Sequence, residues 1–126
     1  MENLIIEQTD TSPKVEFDLD KQTYEIIGRS FPEDPFTFFE PILEYIGKVF
    51  PAIDHPVRLI IKTEYLNSAS SRYMLIIFRK LAEFYAQGKS IKVIWQYYDE
   101  DLHADGLLYQ NLVKLPFEFV SVESES

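Results

Sequence analysis

Between Asn67 and Arg72 the chain runs Asn-Ser-Ala-Ser-Ser-Arg, which puts three hydroxyls within four residues and a guanidinium directly behind them. An apolar run, Leu59-Ile60-Ile61, lies shortly before, and apolar residues at three- and four-residue spacing follow. The segment therefore belongs to the carboxyl end of a strand and the amino end of a helix, where α/β sheets present functional groups. Free N–H groups and the positive end of the helix dipole stabilise an anion there. A phosphate ester on Ser68, Ser70 or Ser71 would be tolerated by the fold and would find a charge partner in Arg72. The plainer reading of any one of these serines is helix capping. Three hydroxyls in four residues exceed what one cap needs.

Other groups offer less. His103 stands near Asp99, Asp101 and Asp105, which as oxygen donors suit a hard cation, but the spacing matches no calcium loop and a solvated acidic turn is the better reading. The same group joined to a serine as a hydrolase site has poor support. His55 precedes Pro56 and reads as a loop residue. Trp95, Tyr97 and Tyr98 form an aromatic cluster that could stack on a base or a partner, although Trp95 fits a strand core better. With no Cys, thiolate metal sites and Cys nucleophiles are excluded, and four scattered Gly make no phosphate loop. No metal site and no cofactor is expected.

The chain that must position these groups has 126 residues, 46% of them hydrophobic and 15% aromatic, enough for one domain with a real core. Its net charge of −9 argues against a nucleic-acid binder. The charge is uneven. Residues 58 to 92 hold seven basic and two acidic residues, net +5, whereas residues 99 to 126 hold seven acidic residues and one Lys, net −6. Solvated faces explain most of this, and a basic patch for an acidic partner is the sharper alternative. No apolar run reaches the ~20 residues of a membrane span, and the first residues do not resemble a signal peptide, so a cytoplasmic protein is expected. The expected organisation is a flexible lead over 1–12 that frays or adds an edge contact, one domain over 13–120, and an acidic tail over 121–126.

Val15 to Leu19 and Thr23 to Ile27 alternate as the two strands of a hairpin around Asp20-Lys21-Gln22. Asp34 and Pro35 open a helix carrying Phe38, Phe39, Ile42, Leu43, Ile46 and Val49, with Pro41 a potential kink or a later start. Val57 to Leu66 reads as a strand covered on both faces. Met74, Ile77, Phe78, Leu81, Phe84 and Tyr85 mark an amphipathic helix closed by Gly88. Ile91 to Tyr98 is a further strand. A short helix, weakened by Gly106, runs from the acidic turn to about Leu112, and Phe117 to Val120 is the last strand. The order β-β-α-β-α-β-α-β predicts an α/β fold, a mixed sheet of about five strands with two to three helices packed on it.

Five segments, in order, resemble the SiaC-type regulatory phosphoproteins of bacteria. They are Gly28-Arg29-Ser30-Phe31-Pro32-Glu33, Phe39-Glu40-Pro41-Ile42-Leu43-Glu44-Tyr45, Glu64-Tyr65-Leu66-Asn67-Ser68, Val93-Ile94-Trp95-Gln96-Tyr97-Tyr98 and Leu115-Pro116-Phe117. The resemblance implies a small α/β domain like the STAS domain of anti-sigma-factor antagonists. It implies a non-catalytic partner switch, phosphorylated by a Ser/Thr kinase at the strand-to-helix junction and dephosphorylated by a PP2C-type phosphatase. In the best understood system the unphosphorylated protein binds and activates a GGDEF diguanylate cyclase, raising cyclic di-GMP and influencing biofilm formation. Carried onto this chain, the family pattern makes Ser70 the expected acceptor, with Ser68 second and Ser71 third. The expected partner-binding residues are Tyr65, Asn67, Arg72, Tyr97 and Tyr98. Ala69 stands where the pattern usually has Ser, and the acidic stretch after Tyr98 is shorter than the family's. The alternative function is a constitutive interaction module built on Tyr65, Tyr97 and Tyr98, without a phosphoswitch.

Overall fold

The computed structural model describes residues 1–123. Its elements are β1 (Leu4–Ile6), β2 (Lys14–Asp18), β3 (Thr23–Ile27), α1 (Pro35–Val49), β4 (Val57–Lys62), α2 (Ser68–Ala86), β5 (Ile91–Tyr97), α3 (Glu100–Leu112) and β6 (Phe117–Ser121), with a single 3-10 turn at Phe50–Ala52. The six strands lie in one sheet in sequence order. β1, β2 and β3 are antiparallel neighbours, and β3 to β6 run parallel. The fold is thus the expected α/β architecture, with one strand more than expected. That strand comes from the N-terminal lead, where Leu4-Ile5-Ile6 pairs with Phe17-Glu16-Val15. Three residues are too few to announce a strand by themselves, and here the exposed edge of β2 supplies the template. Of the acidic tail, Ser121 ends β6, and residues 124–126 lie outside the described residues.

α1, α2 and α3 each cross over between parallel strands, and right-handed crossovers put all three on one face of the sheet. Alternation follows. Val57, Leu59 and Ile61 of β4 and Val93 and Trp95 of β5 point into a single core with Phe39, Ile42 and Ile46 of α1 and Met74, Ile77, Phe78 and Leu81 of α2. The opposite face is mixed: Ile94 of β5 is buried there beside the half-buried Ile60 of β4, and the ion pairs Lys14–Glu25 at 3.5 Å and Lys92–Glu118 at 3.0 Å lie on the same face.

Locally, one expectation holds and one boundary shifts. α1 begins at Pro35, capped by the Asp34 carboxylate, which accepts from the Thr37 N–H at 3.2 Å and the Thr37 hydroxyl at 2.7 Å, and it runs through the exposed Pro41 without ending. β4 stops at Lys62 rather than Leu66, because Thr63 Oγ1 accepts from the Tyr65 N–H at 3.2 Å and turns the chain.

At the amino end of the parallel strands, Tyr24 is buried with its hydroxyl 2.7 Å from His55 Nε2. Burial, then the neighbouring Tyr45 and Asp18, pushes its pKa up to about 12. The folded state therefore holds this proton longer than the unfolded chain does. The resulting stability is complete below the ordinary tyrosine value of 10.0 and is lost as pH rises from there to about 12. Urea midpoints measured across this alkaline range should fall for the wild type and fall less for Tyr24→Phe. Parallel curves would refute the assignment.

Candidate functional site

The register brings the candidate residues to one end of the sheet. β4 and β5 are parallel neighbours, with Lys62 opposite Gln96, so the turn Thr63–Asn67 and the residues Tyr97 and Tyr98 leave the sheet side by side. α2 begins there. Asn67 is its N-cap, with Oδ1 accepting from the Ser70 N–H at 2.8 Å. Ser68 is the first helical residue and is exposed, Ser71 is half-buried, and Ser70 is fully buried at 0% relative exposure.

Ser70 is paired inside the fold with a residue forty positions away. Its Oγ lies 2.7 Å from the Oγ of Ser30, which is equally buried, and the two hydroxyls satisfy each other. Ser30 also clamps the turn with its backbone. Its N–H donates to the Tyr65 carbonyl at 2.8 Å, and its carbonyl accepts from the Asn67 N–H at 3.0 Å. Phe31 adds an edge-on contact to Tyr65, ring centroids 5.9 Å apart. The loop after β3 and the loop after β4 thus form one rigid unit. Sequence reading assigns Ser30 no site role of its own. The signal available was its place in Gly28-Arg29-Ser30-Phe31-Pro32, but nothing local ties that segment to Asn67.

Removing one hydroxyl of the pair leaves the other buried without a partner, which costs about 1–3 kcal/mol. Ser30→Ala and Ser70→Ala should each lower thermal stability by that amount. The double variant should lose clearly less than the sum, since no orphaned hydroxyl remains. Strict additivity in a double-mutant cycle would show that the pair is not coupled.

The electrostatics at this end favour an anion on α2 and not elsewhere. α1 and α3 are capped by carboxylates, Asp34 and Asp99, and α3 adds Glu100 and Asp101 in its first turn. α2 is capped by the neutral Asn67 and has no acidic residue in its first turn. Its positive dipole end is uncompensated. Arg72, exposed and four residues after Ser68, lies one turn along the same face. The acidic start of α3 is the opposite case: burial, then Asp101 and Asp99, raises the pKa of Asp105.

The remaining candidates divide. Tyr65 is 51% exposed beside Ser68. Tyr97 is half-buried and stacks face to face on His103, centroids 4.3 Å apart. That contact gives His103 a structural role, and no cluster of His, Asp or Glu able to hold a metal occurs among the described residues. Tyr98 is half-buried under the Lys62 ammonium, 6.0 Å from its ring. Trp95 is buried, donating from Nε1 to the Leu102 carbonyl at 2.9 Å. Beside Arg72 and Ser71, a shallow groove of about 200 Å³ is lined by Leu75, Leu108 and Tyr109, and the Tyr109 hydroxyl donates to the Ser71 carbonyl at 3.0 Å. No described helix is long and apolar enough to cross a membrane.

Comparison with known proteins places this geometry. SiaC of Pseudomonas aeruginosa in its apo form superimposes with a TM-score of 0.86 over 95% of this chain and 99% of that one, at 23% identity. The crystal structure of the diguanylate cyclase SiaD in complex with its activator SiaC, from the same organism, matches with a TM-score of 0.87 over 94% of this chain and 99% of that one, also at 23% identity. An uncharacterised protein of P. aeruginosa strain UCBPP-PA14 is 25% identical over 97 residues, 77% of each chain. At these identities the structural likeness establishes the fold. The family model for SiaC family regulatory phosphoproteins matches residues 6–122, from the edge strand to just past β6, and the chain belongs to that family.

Proposed function

We propose that this protein is a non-catalytic partner switch, governed by reversible phosphorylation at the amino end of α2. The observation that carries the reading is the exposed Ser68 hydroxyl at the first position of a helix whose positive end is uncompensated, with Arg72 one turn away. A phosphate there gains the helix N–H groups and a guanidinium, and the fold survives it. Ser68, rather than Ser70, is therefore the acceptor. Phosphorylating Ser70 requires breaking its bond to Ser30 and opening the first turn of α2. Ser71 ranks between them, half-buried beside the α2–α3 groove.

The unmodified protein binds and regulates a diguanylate cyclase, in line with the family and with the SiaD–SiaC complex, through a surface around Tyr65, Asn67 and Arg72 that extends towards Tyr97 and Tyr98. A Ser/Thr kinase and a PP2C-type phosphatase set the phosphorylated fraction in the cytoplasm, and cyclic di-GMP and biofilm formation follow. Phosphopeptide mapping of the protein from its native host, in growth and in stationary phase, tests the acceptor. Phosphate on Ser68 supports the reading, phosphate on Ser70 would mean that the Ser30 clamp opens in the cell, and none on a well-covered peptide would leave the constitutive interaction module.

A further inference from the structure

The outer surface of α1 and α2 holds a feature that the phosphoswitch does not use. The two helices pack side by side and leave an open groove of about 640 Å³. Leu43 and Gly47 of α1 and Ile76 of α2 supply its apolar lining. Ile76 is 46% exposed, and Phe36, on the same stripe of α1 by its spacing to Glu40, Leu43 and Gly47, is 61% exposed.

Gly47 is informative. Glycine in a helix interior is less favourable than alanine. Its backbone is not in the left-handed region, and an added Cβ would meet only Lys80 Cε, at an ordinary 3.7 Å. Nothing inside the molecule requires glycine here. A bare helix surface at this position leaves room for another element to come close.

The rims carry opposite charge. Glu40, Glu44 and Lys48 edge the α1 side, leaving it net acidic, and Arg79, Lys80 and Glu83 the α2 side, leaving it net basic. Glu44 is engaged by Lys48 at 2.8 Å and Lys80 by Glu83 at 3.6 Å, whereas Glu40 and Arg79 have no ion-pair partner among the described residues. Such a surface is complementary to itself. A two-fold axis along the groove sets each α1 over the α2 of the other copy, so that the acidic rim meets the basic rim and the apolar stripes meet each other.

We propose that the α1–α2 groove is the surface through which two copies of this chain associate. Helices of 15 and 19 residues are about 22 and 28 Å long. Side by side they offer about 500 Å² per copy, at the low end for a specific interface. The dimer is accordingly weak and reversible.

Sedimentation velocity of the full chain over a wide concentration range tests this. The weight-average mass should climb from 14.8 kDa towards twice that value in the micromolar range. Ile76→Asp and Arg79→Glu, both at exposed positions and checked by circular dichroism, should each raise the dissociation constant about tenfold or more. Adding Glu40→Arg to Arg79→Glu should recover much of the loss, because the reversed rims complement each other again. A wild type that stays monomeric throughout overturns the proposal, and so does a dimer that Ile76→Asp leaves intact. Neither outcome bears on Ser68.

Discussion

Ser68→Asp is expected to weaken binding of the proposed diguanylate cyclase partner about a hundredfold, close to 3 kcal/mol, while leaving the circular dichroism spectrum and melting temperature near those of the wild type. The fold tolerates the change because the carboxylate occupies the first turn of a helix that lacks acidic residues and is capped by the neutral Asn67. If anything, the helix gains a few tenths of a kcal/mol. The interface does not tolerate it. A charge on an exposed hydroxyl must lose its water when the partner docks, and Arg72 neutralises only part of it. Phosphate, with about −1.5 to −2 charge, should do at least as much. Ser68→Ala should bind like the wild type and remain insensitive to the kinase. The measurement is a titration of each variant against the cyclase, followed by calorimetry or by cyclase activity. Equal affinity for Ser68→Asp and wild type would end the switch reading. Loss of binding together with loss of the helix signal would instead mean that the substitution acts on the fold.

Gly106→Ala is expected to destabilise the domain by about 2–3 kcal/mol, roughly 10 °C in melting temperature. Helix propensity alone points the other way, since alanine in a helix interior is favoured over glycine by about 1 kcal/mol. Tertiary packing reverses the sign. A Cβ at Gly106 would stand 2.6 Å from Trp95 Cδ1, 2.7 Å from Trp95 Nε1 and 2.8 Å from Phe119 Cε1. These are ring atoms, and Trp95 is buried and tied by Nε1 to the Leu102 carbonyl at 2.9 Å, so it cannot swing aside cheaply. Either α3 lifts from the sheet or the indole leaves its hydrogen bond. Trp95 is the sole tryptophan, so its emission reports the site directly. A red shift with a lowered melting temperature is the expected result. An alanine variant as stable as the wild type would show that α3 sits further from the sheet.

The two substitutions separate what sequence reading reaches from what it does not. Gly106 reads locally as a weakness in α3, and its real role depends on Trp95 and Phe119, which the sheet register brings beneath it. Ser70 shows the same limit. The pattern Asn-Ser-Ala-Ser-Ser-Arg locates a capped helix start after a buried strand, but it does not rank the three hydroxyls. Ranking them needs the tertiary structure, which buries Ser70 against Ser30, forty residues earlier, and pairs the two hydroxyls. The family resemblance was legible for the complementary reason: each of its five segments is contiguous in the chain, and two of them, Gly28–Glu33 after β3 and Glu64–Ser68 after β4, are the loops that meet at the site, while the others lie within α1, along β5 and at the start of β6.

The sequence by itself determined the elements that rest on local periodicity and capping chemistry. The stripe from Met74 to Phe84 makes α2, Asp34-Pro35 starts α1, and the alternation from Val15 to Ile27 makes the hairpin. It also narrowed the candidate chemistry, since a chain without cysteine and with two separated histidines is left with its serine cluster as the prominent feature. Tertiary structure alone decided three things. It recruited Leu4–Ile6 to the edge of β2, it buried Ser70 and left Ser68 outside, and it set α1 beside α2 with Gly47 and Ile76 facing the same groove. The physical reason is common to all three. Backbone conformation follows from neighbours within a few residues, whereas burial depends on contacts between segments far apart in the chain, and burial decides which hydroxyl a kinase can reach.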